Sequence, residues 1–201
     1  MSIDIRYDPL AWENAKDKTP YVGPFKWHAY RESLVSWIVS LQPTSLLDVG
    51  CAGGQYIGRL RERAWQGKYH GVDITPSFIE GARKNHPRER FEVGDVRRLG
   101  CKAREYEFVL CSHVLDHLLE ISRPIHELFD AAERWVALSV LGDVRAGRIT
   151  ADGTLFNRYF TVEHIMLSAP SNWHLKEFKR FNPEWDSRQY VFQFLFENIA
   201  V

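Results

Sequence analysis

The sequence is poor in cysteine, and this shortage excludes two classes of small protein. Its three cysteines, Cys51, Cys101 and Cys111, cannot all pair with one another, and their spacing is not that of a metal site. The chain is therefore neither a disulfide scaffold nor a cysteine-based metal module. Reduced, buried thiols are the ordinary state of such cysteines, so a reducing, cytoplasmic location is expected.

Long apolar runs and an excess of charge are also missing. No run approaches the ~20 apolar residues of a membrane span. Residues 1–16 are charged and lack the apolar region of a signal peptide. Lysine plus arginine balance aspartate plus glutamate at 26 each, so no overall field attracts the protein to nucleic acid or to an anionic membrane. We expect no membrane partner and no nucleic-acid partner, and the oligomeric state is not indicated.

The order of predicted elements indicates one α/β domain. A chain of 201 residues suffices for one hydrophobic core and is short for two. Strands and helices alternate after residue 45, which is typical of a doubly wound parallel sheet. We predict strands at 45–49, 69–74, 90–96, 107–112 and 135–142, with helices at 55–65, 76–85 and 124–134. A helix capped by Thr161 then precedes two long strands, 174–181 and 190–197, which form a hairpin.

The most informative stretch is SLLDVGCAGGQYIGRL, residues 45–60. It reads as a buried strand ending at Asp48 and Val49, a turn rich in glycine, and a helix. Alone, such a turn favours a nucleotide-type ligand only slightly over a plain tight turn. Asp73 and Asp95 follow at the ends of later strands. Together these features favour an adenosyl ligand, because ribose hydroxyls need a carboxylate and the adenine amine needs a second acceptor.

The fingerprint of nicotinamide dehydrogenases has a similar layout but a different spacing. Its G-x-G-x-x-G pattern would fall on Gly50, Ala52 and Gln55 here. A glutamine in the third place is hard to reconcile with close helix packing beneath a pyrophosphate. The dinucleotide interpretation is therefore rejected.

Asp48, the glycine turn, Asp73 and Asp95 together resemble the class I S-adenosylmethionine-dependent methyltransferases, in particular the small-molecule enzymes of methyltransferase types 11 and 25. Ala52 departs from the family, which has glycine there. The resemblance covers about 45–197. It implies a Rossmann-like, seven-stranded sheet, mostly parallel with one antiparallel strand. It also implies an S-adenosylmethionine-binding methyltransferase domain (45–201), and we predict from the sequence that an N-terminal helical lid and docking helix (1–44) precede it.

The resemblance also implies roles for individual residues around S-adenosylmethionine as cofactor. The turn would lie against the methionine part, with Asp48 steadying it or reaching the amino group through water. Asp73 would accept the ribose hydroxyls and Asp95 the adenine amine, while Ile74 and Val96 would cover the adenine faces or be simple core positions. The full predicted cofactor set is Asp48, Gly50, Cys51, Ala52, Gly53, Gly54, Asp73, Ile74, Asp95, Val96, Ser112 and His113.

The segment FVLCSHVLDHLL, residues 108–119, looks like the fourth-strand motif of the family. Ser112 and His113 occupy the strand's carboxyl end, where open α/β sheets place ligands. His113 is a candidate catalytic proton acceptor, and His117 is a weaker candidate. Alternatively, His113 only contacts the cofactor, and His117 caps or supports the next helix.

Acceptor choice is expected to depend on two walls outside the nucleotide core. Apolar residues recur at helical spacing over 27–41, which predicts a helix docked on the sheet, and the irregular 7–25 would form the lid. The other wall is 143–160, interpreted as a glycine-containing loop that ends in FNRYF. The aromatic residues Trp27, Tyr30 and Trp135 are expected in the core.

Three functions remain open. We favour transfer of a methyl group to oxygen or nitrogen of a small molecule, because the chain is minimal, neutral and without an added recognition domain. The second is an RNA or protein methyltransferase, against which C-S-H-V replaces an N-P-P-Y-like tetrapeptide after the fourth strand. The third is a non-catalytic S-adenosylmethionine-binding subunit, for which Ala52 is the hint.

Overall fold

A seven-stranded sheet forms the centre of the protein in the computed structural model, which describes residues 28–144, 149–152, 155–182 and 189–200. The strands along the chain are β1 (Ser45–Val49), β2 (Lys68–Asp73), β3 (Arg90–Val93), β4 (Tyr106–Ser112), β5 (Ala132–Gly142), β6 (Ile149–Asp152), β7 (Leu155–Arg158), β8 (Trp173–Phe181) and β9 (Tyr190–Asn198). The helices are α1 (Ala29–Leu41), α2 (Gln55–Glu62), α3 (Pro76–Asn85), α4 (Ser122–Ala131) and α5 (Val162–Ser168), with a 3₁₀ turn at Leu115–His117.

The strand order is β3-β2-β1-β4-β5-β9-β8. Strands β1 to β5 are parallel, and β9 runs antiparallel to both β5 and β8. The predicted fold class, a mostly parallel seven-stranded sheet with one antiparallel strand, is confirmed. Chain order reverses between β1 and β4, and this crevice is where doubly wound sheets bind ligands.

The two faces of the sheet carry separate apolar clusters. Leu46, Leu110 and Leu195 pack with α1, α2 and α3, whereas Leu47 and Val109 pack with α4. Alternate strand residues point to opposite faces, so each strand contributes to both clusters. Helix α1 docks on the first face, as its apolar spacing predicts. None of the helices in the described ranges is long and apolar enough to cross a membrane.

Helix α2 ends earlier than predicted because the chain turns sharply after Glu62. Ala64 takes a left-handed conformation (φ 61°), while Trp65 N–H donates to Leu60 and Ala64 N–H to Arg61. This is a Schellman motif with alanine in the place usually held by glycine. The motif directs the Trp65 ring away from the helix and into the core. There its Nε1 donates to the Pro43 carbonyl oxygen at 2.9 Å.

Other boundaries also differ from the sequence prediction, most clearly at β3 and α4. Strand β3 stops at Val93, since Asp95 begins a turn in which its carbonyl accepts from Arg98. Helix α4 begins at Ser122, whose N–H is capped by Glu120, and ends at Ala131 because β5 starts at Ala132. Pro124 is tolerated there because the first helical turn lacks internal N–H donors to lose.

The predicted loop over 143–160 is wrong in part, because it contains the antiparallel hairpin β6–β7. Asp152-Gly153 between alternating residues is a hairpin signal that the loop interpretation overlooked. Tyr30 and Trp135 are buried as expected. Trp27 and the predicted lid lie outside the described residues, so the proposed division at residue 44 stays a prediction.

Gly71 offers a test of packing beneath the glycine turn. A Cβ there would lie 2.7 Å from Phe91 Cδ1 and 2.8 Å from Cys51 Sγ, and both side chains are buried. We expect Gly71→Ala to lower the free energy of unfolding by about 1–3 kcal/mol, as overpacking does. Urea unfolding followed by circular dichroism would measure it. The matched Gly58→Ala, in α2 beside the movable ring of His86, should be neutral or gain up to about 1 kcal/mol, and equal stability of the two variants would contradict this account.

Candidate cofactor and reaction site

The glycine turn lies at the carboxyl end of β1, beside the ends of β2 and β4. The N–H groups of Gly50 and Cys51 both donate to the Val72 carbonyl, at 2.7 and 3.1 Å. Gly50, Ala52 and Gly54 take left-handed conformations, with φ of 79°, 46° and 78°. Alanine adopts that region only at a cost, which explains why the family has glycine at position 52.

Gly50 is also required by contacts inside the protein. A Cβ on Gly50 would lie 2.1 Å from Val114 Cγ2, in the segment that follows β4. The turn and the end of β4 are thus packed together. Gly50, which the sequence predicts to bind the cofactor, is therefore also needed for the packing between the turn and the segment after β4.

Asp73 holds the turn to the start of the next helix. Its Oδ2 accepts from the Ala52 N–H at 3.0 Å, and its Oδ1 accepts from the Thr75 N–H at 2.9 Å. Burial raises the pKa of Asp73 above its ordinary value, while the bonds from Thr75 and Ala52 oppose that rise. Each carboxylate oxygen keeps a second lone pair, which is the acceptor capacity that two ribose hydroxyls require.

Asp48 is buried at the end of β1 and accepts a hydrogen bond from the Tyr69 hydroxyl at 2.6 Å. Burial raises the pKa of Asp48 to about 7, and the nearby Asp73 adds to the rise despite the bond from Tyr69. Burial also raises the pKa of the Cys51 thiol, so this cysteine is not a thiolate nucleophile. A bound cation beside Asp48 would favour its ionised form.

Asp95, the predicted acceptor for adenine, forms an ion pair with Arg97. Burial acts to raise the pKa of Asp95, but the bonds from Arg97 outweigh it and hold the pKa below its ordinary value. Val96 is buried in a core cluster, and Ile74 is partly exposed. Beside Asp95 lies a cavity of about 440 Å³ whose other lining residues are Arg97, Arg98, Leu118, Leu119, Glu120 and Arg123.

His113 stands at the carboxyl end of β4 in a left-handed conformation (φ 56°). Its backbone N–H donates to the Ser139 carbonyl at 2.8 Å, and its Nδ1 lies 2.8 Å from Asp116 Oδ2. The other ring nitrogen, Nε2, is buried and has no hydrogen-bond partner among the residues that the structure describes. A buried polar atom without a partner costs about 1–3 kcal/mol, which makes Nε2 a candidate ligand contact.

Three residues near His113 were missed as site residues. Asp116 is completely buried, the ring of Tyr30 on α1 meets the His113 ring edge to face at 5.4 Å between centroids, and the Tyr56 hydroxyl lies 3.0 Å from Ser112 Oγ. Asp116 had a local signal, since it follows His113 by three residues. The weaker candidate His117 ends the 3₁₀ turn, where its backbone N–H donates to Val114, and its catalytic role stays a prediction.

Comparison with known proteins finds a family model that matches part of the chain. Residues 47–136 match the family model described as "Methyltransferase domain". These residues are similar to that family, and they make up less than half of the chain. The resemblance to class I S-adenosylmethionine-dependent methyltransferases, on which the fold prediction rests, is confirmed by this match and by the fold of solved relatives.

Two solved structures have a fold similar to that of this chain. An S-adenosylmethionine-dependent methyltransferase from Methanosarcina mazei is 14% identical, with a TM-score of 0.66 over 77% of this chain and 92% of that one. The 1,6-didemethyltoxoflavin-N1-methyltransferase of Burkholderia thailandensis, solved with 1,6-didemethyltoxoflavin and S-adenosylhomocysteine, is 16% identical, with a TM-score of 0.67 over 85% and 78%. At these identities the likeness concerns the fold.

A curated relative is similar in sequence over a shorter stretch. The ribosomal protein L11 methyltransferase of Burkholderia multivorans is 31% identical over 96 residues, which are 47% of this chain and 31% of that protein. The chain thus spans less than a third of the length of the curated relatives it matches.

Within the described ranges, no three His, Cys, Asp or Glu side chains are grouped as a metal site would require.

The raised pKa of Asp48 predicts how the stability of the protein varies with pH. From its ordinary value of 3.8 up to about 7, the folded protein keeps a proton on Asp48 that the unfolded chain releases. Stability is therefore lost as pH rises through this window. Asn at position 48 still accepts from Tyr69 but has no such proton. We therefore compare the free energies of unfolding of Asp48→Asn and the natural protein. Between pH 4 and pH 8 we expect this difference to shift in favour of Asp48→Asn by a few kcal/mol, because each pH unit in the window contributes up to about 1.4 kcal/mol.

Denaturant unfolding at several pH values would measure this difference. The control is Asp130→Asn, an exposed carboxylate on α4, which should leave the pH dependence unchanged. Parallel stability curves for Asp48→Asn and the natural protein would show that Asp48 is ionised throughout.

Proposed function

We propose that the protein is an S-adenosylmethionine-dependent methyltransferase that methylates an oxygen or nitrogen of a small-molecule acceptor. The observation that carries the proposal is the His113 ring at the carboxyl end of β4. Its Nδ1 is bonded to the buried Asp116, and its Nε2 is buried with no partner in the described part of the chain. Such a group can take a proton from an acceptor bound at this end of the sheet.

The residues at the strand ends fit the cofactor. The left-handed turn supports close backbone approach, and Asp73 keeps lone pairs for two hydroxyls. The cavity beside Asp95 supports placing the adenine there. The buried carboxylates Asp48 and Asp73 complement a positively charged ligand. When bound, S-adenosylmethionine supplies an activated methyl group: the acceptor's electron pair bonds to the methyl carbon while the carbon–sulfur bond breaks, leaving S-adenosylhomocysteine.

On the acceptor side, the protein has to orient one nucleophilic atom and exclude water. Tyr30 on α1 packs against the His113 ring. The hydrogen bond between the Tyr56 hydroxyl and Ser112 Oγ joins α2 to the end of β4. The hairpin wall is tied to the same region, because Arg158 donates to the Leu119 carbonyl at 2.6 Å. We therefore place the acceptor between this wall and the predicted N-terminal lid.

A protein acceptor is the second candidate, favoured by the similarity to the ribosomal protein L11 methyltransferase of Burkholderia multivorans. That similarity covers less than a third of the relative, so it bears on a shared segment and not on the whole enzyme. The 1,6-didemethyltoxoflavin-N1-methyltransferase of Burkholderia thailandensis, which was solved with a small molecule bound, matches 85% of this chain in structure. The balanced charge of the chain also favours a small acceptor.

Cofactor binding is tested at Asp73. In Asp73→Asn the amide NH₂ must face either the Ala52 or the Thr75 N–H, and one ribose hydroxyl loses a charged acceptor. Hydrogen bonds to charged groups contribute about 1.5–3 kcal/mol, so we expect S-adenosylhomocysteine to bind about ten- to a hundredfold more weakly. Calorimetric titration would measure the affinity, with the exposed Asp130→Asn as control. An unchanged dissociation constant for Asp73→Asn would remove Asp73 from the cofactor site.

The reaction is tested by S-adenosylhomocysteine formation from S-adenosylmethionine. One arm offers a panel of phenols, alcohols and heteroaromatic amines, and the other offers purified ribosomal proteins. We expect turnover in the first arm. His113→Gln should lose this turnover, whereas the control His126→Gln, at an exposed position, should keep it. Turnover confined to ribosomal proteins would favour the second candidate, and binding of the cofactor without turnover in either arm would indicate a non-catalytic subunit.

A further inference from the structure

We infer that Asp116 selects the tautomer of His113 in which Nε2 accepts a proton, and that the methyl acceptor is a hydroxyl that stays protonated until transfer. The inference deepens the proposed function and rests on it for the acceptor, whereas the role of Asp116 concerns only this chain.

The two oxygens of Asp116 have separate partners. Oδ1 accepts from the Leu141 N–H on β5 at 2.7 Å, and Oδ2 lies 2.8 Å from His113 Nδ1. A backbone N–H can only donate, so it fixes the orientation of the carboxylate. A carboxylate can only accept, so Nδ1 must carry the proton. A neutral imidazole has one N–H, and Nε2 is therefore left with its lone pair.

The position of the ring is fixed as well as its tautomer. The left-handed backbone of His113 is held by the bond from its N–H to Ser139, and the Tyr30 ring limits rotation of the imidazole. A non-glycine residue in this conformation is strained and persists where its surroundings impose it. Asp116 thereby links the His113 ring to β5, and the Ser139 carbonyl links the His113 backbone to the same strand.

This arrangement discriminates between acceptor classes. A carboxylate or thiolate acceptor has no proton to lose, and a neutral amine bonds to the methyl carbon through its lone pair before any proton leaves, so neither requires an oriented base. A hydroxyl does: its proton passes to Nε2 as its oxygen forms the bond to the methyl carbon and the carbon–sulfur bond breaks toward sulfur. General-base assistance of this kind contributes about 10²–10⁴ in rate.

The test uses Asp116→Asn in the whole chain. The Asn oxygen can still accept from Leu141, while its NH₂ donates to Nδ1 and forces the proton onto Nε2. We expect ¹⁵N-histidine spectra of the protein alone to show His113 protonated on Nδ1 in the natural chain and on Nε2 in Asp116→Asn. With a phenol from the panel, kcat should fall about 10²–10⁴-fold, with KM and S-adenosylhomocysteine affinity changed less than about threefold.

Assignment uses His113→Gln, and the exposed His126 serves as the reference ring. Asp130→Asn should change neither spectrum nor kcat. A natural chain protonated on Nε2 would overturn the inference even if Asp116→Asn did not fold, and so would an Asp116→Asn enzyme that keeps its kcat on hydroxyl acceptors or a natural enzyme active only on amines. Absence of turnover with every acceptor would instead refute the proposed function, and the spectrum of the natural chain would still decide the tautomer.

Discussion

The carboxylate of Asp73 is the interaction on which the geometry of the cofactor site depends. It ends β2, accepts the N–H of Ala52 in the glycine turn, and accepts the N–H of Thr75 where α3 begins. A buried carboxylate is costly unless it is hydrogen-bonded, and two buried N–H groups are equally costly without an acceptor. The two N–H groups supply the hydrogen bonds that the carboxylate needs, and the carboxylate supplies the acceptor that they need. The Asp73 side chain therefore joins β2, the glycine turn and the start of α3, and it holds the strained turn in its conformation.

Asp116 has the same physical role on the other side of β4. It is completely buried, and it satisfies the Leu141 N–H of β5 while it bonds the His113 ring. The crevice between β1 and β4 is thus bordered by two buried carboxylates, one toward the cofactor turn and one toward the candidate base. A loss of either would leave a buried donor without a partner, which couples local stability to the positions of the site residues.

The strands were predictable because buried parallel strands read as short apolar runs. The end of β1 also has a local signal, the glycines at 50, 53 and 54. Helix ends were less predictable: α2 stops at Glu62 only because Ala64 takes a left-handed conformation that sequence rules assign to glycine. Strand β5 begins at Ala132, earlier than its apolar run indicates, because pairing with β4 extends it, which is a tertiary effect.

The sequence by itself determined which residue types stand at the strand ends: a carboxylate at position 73, a flexible turn after Asp48 and a histidine after β4. These depend on local order and on the rule that parallel strands end at one edge of the sheet. Only the tertiary structure decided their partners. Tyr56 meets Ser112 across 56 residues, Tyr30 meets His113 from α1, and Asp116 divides its oxygens between His113 and β5. Such contacts depend on the register of neighbouring strands and on helix docking, which place residues distant in sequence within hydrogen-bonding reach.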